Sequence, residues 1–270
     1  MNSVVEMRPS SIGHVDVWYC FTDDRRLDSR LSQYEAMLSA VELEQYQSLQ
    51  HGSNGRDYLV SRALLRTVLS QYCGLAPENL SFCANDFGKP ELADNQGLGL
   101  VQFNTAHTSG LTVCVVTRGN DVGVDVESHA ENRGVLNMAD DYFSALELQA
   151  LNRTSDEQQL EFFYRYWTLK EAYIKARGEG LSIPLHDFSV LLDDQGEFNG
   201  FVGPESDRWD FRVVCKNVNY TASLAVGGSI NSVAYFQSIP LSHEIERNAD
   251  EAFDPLSSPM GSQRNNVVNQ

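Results

Sequence analysis

The stretch that decides the fold is Trp167-Thr168-Leu169-Lys170-Glu171-Ala172-Tyr173-Ile174-Lys175-Ala176. Apolar residues recur through it, and before it, at helical spacing, which predicts a helix with one face against a core. Glu171 lies on that face, between Trp167 and Ile174. A carboxylate facing a core is costly unless it is paired, hydrogen-bonded or bound to a metal. Lys175, one turn further on, offers the plainest partner, as an ion pair at the edge of the helix.

The composition is that of a globular protein with a strongly acidic surface. The chain has 270 residues, of which 42% are hydrophobic, enough for one large domain or two small ones. Its 37 acidic and 20 basic residues give a net charge of −17, which disfavours nucleic acids and anionic membranes as partners. An anionic small ligand would therefore need a local cluster of basic residues.

The five cysteines are scattered and form no C-x-x-C pair, which predicts reduced thiols and no zinc site. The sequence also shows no signal peptide and no apolar run of membrane-spanning length. We therefore expect a cytoplasmic protein.

Helices and strands are mixed without strict alternation, which favours an α+β fold. Each half of the chain has a helix followed by several strands, so we expect a boundary near 117–121. The predicted units are an N-terminal half at 1–118, a C-terminal half at 119–243 and a polar, disordered tail at 244–270. The principal elements predicted are strands at 14–21, 101–105, 111–117 and 121–127, and helices at 32–49, 56–72 and 155–177, with a capping box at 144–147.

Gly123-Val124-Asp125-Val126-Glu127 is the second informative segment. On a strand, side chains alternate between faces, so the valines point into a core while Asp125 and Glu127 point together the other way. Two adjacent carboxylates repel unless a cation lies between them. Mg²⁺ suits such a pair together with phosphate oxygens and water. A strand with one solvated face is the plain alternative.

Three further fragments carry basic residues. The segment 103–108 places His107 in a turn between two strands, and Gly88-Lys89-Pro90 offers Lys89 on a rigid turn that is not a Walker A loop. Each of these residues could instead be an ordinary surface charge. The third fragment is a helix with Arg56, Arg62 and Arg66.

In this order, the fragments resemble the motifs of the Sfp-type 4'-phosphopantetheinyl transferases. That family has an arginine-bearing helix, then G-K-P, F-N-x-S-H, G-[IV]-D-[IV]-E and W-x-x-K-E-[AS]-x-x-K. Ala106 stands where the family has Ser, so a hydroxyl contact to a phosphate of coenzyme A is lost or passes to Thr105 or Thr108. The matching segments are 56–66, 88–90, 103–107, 123–127 and 167–175, within a resemblance that extends over roughly 15–235.

The resemblance implies two similar α+β halves related by a pseudo-twofold axis, with the active site in the cleft between them. It implies an enzyme of the holo-[acyl-carrier-protein] synthase type. Such an enzyme transfers the 4'-phosphopantetheine arm of coenzyme A to a serine of an apo acyl or peptidyl carrier protein, giving holo-carrier and 3',5'-ADP. A monomer is expected, since two halves in one chain already build the cleft.

The resemblance also implies roles for individual residues. Asp125, Glu127 and Glu171 would hold Mg²⁺, with Asp125 and Glu171 counted as catalytic. Glu171 could take the serine proton, and Lys175 would stabilise or protonate the leaving phosphate. The residues expected to bind coenzyme A are Arg56, Arg62, Lys89, Pro90, Thr105, His107 and Lys175.

Two other functions are compatible with parts of this pattern. A different Mg²⁺-dependent phosphotransferase or nuclease could use Asp125 and Glu127, although the net charge argues against a nucleic-acid substrate. A degenerate, non-catalytic protein that binds coenzyme A or a carrier could keep the fold. Ala106 hints at such decay, whereas the presence of all three carboxylates and Lys175 argues against it.

Overall fold

The computed structural model describes residues 11–50, 54–93, 100–131, 134–242 and 245–248. Its α-helices are α1 (Leu31–Ala36), α2 (Ala40–Leu49), α3 (Asn54–Cys73), α4 (Ala139–Tyr142), α5 (Ala145–Leu151) and α6 (Asp156–Arg177). Its strands are β1 (His14–Phe21), β2 (Phe82–Ala84), β3 (Pro90–Leu92), β4 (Val101–Thr108), β5 (Leu111–Arg118), β6 (Val122–Ser128), β7 (Ser189–Leu192), β8 (Phe198–Val202), β9 (Asp210–Lys216), β10 (Tyr220–Val226), β11 (Ser232–Ser238) and β12 (Ile245–Asn248).

The two halves of the chain repeat one order of elements. In the first half β1 leads to α3, the hairpin β2–β3, and then β4 and β5; in the second β6 leads to α6, the hairpin β7–β8, and then β9 and β10. In the first sheet β5 lies between β1 and β4 and is antiparallel to both. In the second sheet β10 lies between β6 and β9 in the same way. An α+β fold with two similar halves is thus confirmed. The expected boundary falls in the turn between β5 and β6, and the division into separate domains stays a prediction.

The elements stack in four layers. Along β1, Trp18 faces α3 while Val17 and Tyr19 face the second sheet, as strand alternation requires. Val124 and its neighbouring valines on β6 are buried between the two sheets, as predicted. Helix α6 covers the other face of the second sheet. A membrane crossing would need a longer or more apolar helix than any in the described ranges.

Two sequence predictions need correction in the first half. The helix expected at 32–49 is two helices, because the Ser39 hydroxyl accepts a hydrogen bond from the Glu42 backbone N–H and starts α2 anew. His107 does not lie in a turn. Strand β4 continues to Thr108, which pairs with Leu111, so His107 is held in a strand.

The end of the second half crosses back to the first sheet. Strand β11 lies beside β1, parallel to it, although by sequence it belongs to the C-terminal half. Strand β12 then pairs antiparallel with β11. The prediction of disorder from residue 244 is therefore wrong for Ile245–Asn248, because the open edge of β11 supplies backbone groups to pair with. The remainder of the predicted tail, 249–270, lies outside the described residues.

Candidate active site

Helix α6 approaches β6 closely at one glycine. A Cβ atom on Gly123 would lie 2.1 Å from the carbonyl oxygen of Ala172 and 2.4 Å from the amide nitrogen of Ala176. Only glycine permits this distance between the helix and the strand. The contact brings Asp125 and Glu127 on β6 against the face of α6 that carries the predicted catalytic residues.

Asp125 and Lys175 form the central ion pair. The Lys175 ammonium donates a hydrogen bond of 2.6 Å to Oδ1 of Asp125, whose side chain is almost fully buried. The other carboxylate oxygen, Oδ2, is buried and has no hydrogen-bond partner among the described residues. The plain expectation that Lys175 pairs with Glu171 is wrong, because Asp125 lies across the interface within direct reach.

Glu127 and Glu171 complete the group of carboxylates. Trp167 donates a hydrogen bond of 3.2 Å from its indole nitrogen to Glu127. Burial, and then the charge of Asp125, raise the pKa of Glu127 to about 7. The same two causes raise the pKa of Glu171, against the opposing effect of Lys175. The carboxylates therefore interact with one another and hold more negative charge than one lysine neutralises.

The carboxylates fit a divalent cation without forming a finished site. Among the described residues, no group of three or more His, Cys, Asp or Glu side chains is arranged to hold a metal ion. Lys175 donates a hydrogen bond to one oxygen of Asp125, and Trp167 donates one to Glu127. The oxygens of the three carboxylates therefore do not converge on a single metal position. Their oxygens are nevertheless the ligands that Mg²⁺ prefers, and the buried, unpartnered oxygen of Asp125 suits a cation.

A cavity of about 460 Å³ lies between the two halves, beside these carboxylates. It brings together residues from α3, the β2–β3 hairpin, β4 and α6. Every residue expected to bind coenzyme A lines it, except Arg56. We call this space the anion cavity, and its lining includes Arg62, Lys89, Pro90, Thr105, His107, Glu171 and Lys175.

Arg56 is the predicted ligand residue that the structure places elsewhere. Its guanidinium donates to the backbone carbonyls of Thr22 and Asp24 and pairs with Asp28 at 2.8 Å. Arg66 is buried against Glu42, so of the arginines on α3 named from the sequence, Arg62 alone lines the cavity. The sequence could not distinguish these three arginines, because the face of α3 that each one occupies depends on tertiary packing.

Lys89 lines the anion cavity but is already hydrogen-bonded. Its ammonium donates to the carbonyl oxygen of Ala176 at 2.8 Å, near the C-terminus of α6. This is where a helix attracts positive charge. Asn85, in the same turn, donates to the carbonyl of Gly178 at 2.8 Å. The turn that carries Lys89 is thus fastened to α6 from the other half, while burial lowers the pKa of Lys89.

A second cavity, of about 450 Å³, is lined by Glu127. His107 lines both cavities, whereas Trp167 lines only this one. The indole of Trp167 is a participant that sequence reasoning missed. The signal for it was present, because Trp167 precedes Glu171 by one helical turn. The remaining lining is partly apolar and includes Val135, Met138, Phe163 and Tyr164.

A buried ion pair anchors the same turn of α6. The Lys170 ammonium donates to both oxygens of Glu147, at 2.9 and 2.6 Å, and to the carbonyl of Phe188 at 2.8 Å. The exposed fractions are 1% for the Lys170 side chain and 0% for that of Glu147. Glu147 also closes the predicted capping box with Ser144, which is confirmed. The sequence identified Glu147 as a cap but did not predict its pairing with Lys170.

Comparisons with known proteins agree with these features. Residues 121–226 match the model of the 4'-phosphopantetheinyl transferase superfamily. A 4'-phosphopantetheinyl transferase of Bacillus subtilis is 34% identical over 60% of this chain and 69% of its own. The transferase Sfp of Bacillus subtilis (strain 168) is 30% identical over 63% of this chain and 76% of its own. A solved holo-(acyl-carrier-protein) synthase from Bacillus anthracis, in complex with CoA (3',5'-ADP), covers 40% of this chain and 96% of its own at 18% identity and a TM-score of 0.35, too weak a match to support an inference.

Proposed function

Because this chain belongs to the 4'-phosphopantetheinyl transferase superfamily, we propose that it transfers the 4'-phosphopantetheine arm of coenzyme A to a serine hydroxyl of an apo carrier protein. The products are the holo-carrier and 3',5'-ADP. The observation that supports this best is the anion cavity, where basic side chains meet the carboxylates at the junction of the halves.

Coenzyme A is the ligand that suits the anion cavity. Arg62, Lys89 and Lys175 line it in a chain whose net charge is −17, so they supply the local positive charge that a polyanion needs. His107 and Thr105 add polar groups from β4. We assign these residues and Pro90 to the nucleotide end of coenzyme A, and we leave out Arg56.

Asp125, Glu127 and Glu171 would hold Mg²⁺. When bound, the ion would neutralise the diphosphate of coenzyme A and favour charge build-up on its oxygens. Two observations support this assignment. The Oδ2 atom of Asp125 has no partner among the described residues, although Oδ1 is paired with Lys175. Burial and the charge of Asp125 raise the pKa of both glutamates despite the opposing effect of Lys175, so a further cation would be favoured here.

The chain's own residues then act on the serine and the leaving group. The serine oxygen forms a bond to the phosphorus that carries the pantetheine, and the bond from that phosphorus to the bridging oxygen of 3',5'-ADP breaks. Glu171 receives the serine proton, directly or through a water. Lys175, whose pKa burial alone would lower but Asp125 raises, stays charged and stabilises the leaving phosphate.

The carrier serine would enter from the second cavity, which is lined by Glu127 and shares His107 with the anion cavity. Met138, an exposed apolar residue in its lining, offers a contact that does not depend on charge. This matters because carrier proteins are commonly acidic and this chain is acidic too. The proposal includes a monomer, since one chain supplies both sides of the anion cavity, and a cytoplasmic location, consistent with five free cysteines.

The test is incubation of the purified chain with coenzyme A, Mg²⁺ and a panel of apo fatty-acid, polyketide and nonribosomal-peptide carriers, followed by intact mass spectrometry. We expect at least one carrier to gain the mass of one phosphopantetheine group. Asp125→Ala and Glu171→Ala should abolish the gain in saturating Mg²⁺ while circular dichroism shows an unchanged fold.

Near-normal turnover by either variant would contradict the assignment of these carboxylates. Binding of coenzyme A without a mass gain on any carrier would instead favour the non-catalytic alternative. Arg56→Ala is a matched control for substitutions in the anion cavity. Arg56 lies on α3, as Arg62 does, but it does not line the cavity.

A further inference from the structure

Two side chains of β4 hydrogen-bond to the backbone of β6 across the junction of the halves. The Asn104 side-chain oxygen accepts from the backbone N–H of Val124 at 3.0 Å. The Thr108 hydroxyl accepts from the backbone N–H of Ser128 at 3.2 Å. Both pairs have the same offset along the chain, so the two strands run side by side in one register.

These bonds replace the backbone pairing that the two strands lack. Strand β4 ends one sheet and β6 ends the other, and in the described part of the chain no backbone ladder joins them. The two donors, Val124 and Ser128, flank Asp125 and Glu127 directly in sequence. The bonds therefore hold the short segment that carries both carboxylates.

At the position midway between the two bonds, β4 carries no polar side chain. In an antiparallel strand alternate N–H groups point to the same edge, so the N–H of Val126 faces β4 as those of Val124 and Ser128 do. The side chain of β4 at the matching offset is Ala106, which is buried and carries no polar atom. Among the described residues, side chains of β4 therefore accept from two of the three N–H groups along this edge of β6.

Strand β4 also lines the anion cavity. Its residues 103–107 belong to the lining, Asn104 and Ala106 as well as Thr105 and His107. The same strand thus contributes to the anion cavity and accepts two hydrogen bonds from the backbone of β6. Its register fixes the position of the cavity lining relative to Asp125 and Glu127.

We propose that Asn104 and Thr108 are positioning residues that fix Asp125 and Glu127 relative to the anion cavity, and that they thereby set the affinity of the carboxylates for a divalent cation. The proposal rests on the proposed function, because it assumes that these carboxylates bind the cation. Asn104 and Thr108 would thus affect metal affinity by orienting the ligands, without contacting the metal themselves.

The test is a titration of the full-length chain with Mn²⁺ alone, followed by electron paramagnetic resonance of the free ion. Asn104→Leu and Thr108→Val remove the acceptors while keeping similar volume, and each should weaken Mn²⁺ binding roughly tenfold. Thr108→Ser keeps the hydroxyl and should bind as the wild type does. Thr112→Val is the matched control, because Thr112 is a buried hydroxyl whose bond, 3.4 Å to the carbonyl of Ala106, does not reach β6.

Ala106→Ser tests the proposal in the other direction. In the absence of coenzyme A, a serine hydroxyl at this position has no phosphate to contact and can accept from the N–H of Val126, so Mn²⁺ affinity should increase severalfold. This variant also decides the matter if Asn104→Leu does not fold. No change in affinity in both Thr108→Val and Ala106→Ser would overturn the proposal.

Two further outcomes are distinct. If Thr108→Val and Thr112→Val lower the unfolding temperature equally and both bind Mn²⁺ as the wild type does, Thr108 is merely structural and the proposal fails. If the wild type itself binds no Mn²⁺, the carboxylate site fails, and the proposal fails with it, before any variant is compared.

Discussion

Breaking the buried pair between Glu147 and Lys170 should be among the most damaging single changes outside the cavities. Neither side chain is more than 1% exposed. Lys170→Met would leave the Glu147 carboxylate with two backbone donors, the N–H groups of Ser144 and Val190, each at 2.8 Å, and no counter-charge. Glu147→Gln would leave the Lys170 ammonium with the carbonyl of Phe188 and an amide oxygen.

The expected magnitude follows from the desolvation of the remaining charge. Removing one partner of a buried pair costs about 3–5 kcal/mol, because the other charge stays buried without compensation. The double variant Glu147→Gln/Lys170→Met removes both charges and should lose clearly less than the sum of the single variants. We expect a coupling energy of about 3 kcal/mol. The exposed pair of Lys216 and Glu197 is the matched control, and Lys216→Met should cost less than about 1 kcal/mol.

The assay is urea unfolding of the full chain, followed by circular dichroism and tryptophan fluorescence. Coincident transitions by the two probes would justify comparing free energies of unfolding. Additive effects of the two substitutions, or single losses below about 1 kcal/mol, would refute the reasoning. Such a result would mean that water reaches the pair or that the site relaxes around the remaining charge.

Three other predictions concern the junction and the two cavities. Gly123→Ala should unfold the junction or strongly raise the Mg²⁺ concentration needed for activity, because the new Cβ would lie 2.1 Å from a backbone oxygen of α6. An unfolding temperature equal to that of the wild type would contradict this close approach. Burial raises the pKa of Glu127 from the ordinary value of 4.5 to about 7. Between pH 4.5 and pH 7 the folded chain therefore holds a proton that the unfolded chain has lost, so the free energy of unfolding falls as the pH rises through this window. Because Mg²⁺ must displace that proton, thermal melts should show a larger stabilisation by Mg²⁺ at pH 8 than at pH 6, and equal shifts at both would count against the site. Arg62→Ala should raise the KM for coenzyme A about tenfold or more, because one charge-assisted bond is lost, whereas Arg56→Ala should leave KM unchanged. Steady-state kinetics with a carrier that is modified by the wild type measures both values. A larger KM for Arg56→Ala than for Arg62→Ala would show that the two arginines are misassigned.

Local patterns in the sequence were enough to predict several parts of the fold. The capping box at Ser144, the stop of α6 at Gly178 and the alternation of β6 all depend on neighbours within a few residues, and all three are confirmed. The short hairpin strands β3 and β8 were missed, because strands of a few residues carry too little pattern to be distinguished from turns.

The sequence predicted which strand or helix carries each of these site residues, but it did not predict which of their side chains pair with one another. Asp125, Glu171 and Lys175 do lie together, because helix and strand periodicity already placed each on the correct face. The partner of Lys175 and the location of Arg56 depend on how elements distant in sequence pack. Such contacts leave no trace in the spacing of residues along a single chain.

The return of β11 to the first sheet has a consequence for biosynthesis. Strand β1 lies between β5 and β11, so in the described part of the chain one of its edges is covered by residues 232–238 alone. During translation the first half therefore emerges with that edge of β1 open, and it keeps this edge until residue 238 has left the ribosome. An open strand edge is a template for pairing with other chains, so nascent copies on one messenger RNA should be most prone to aggregate during this interval.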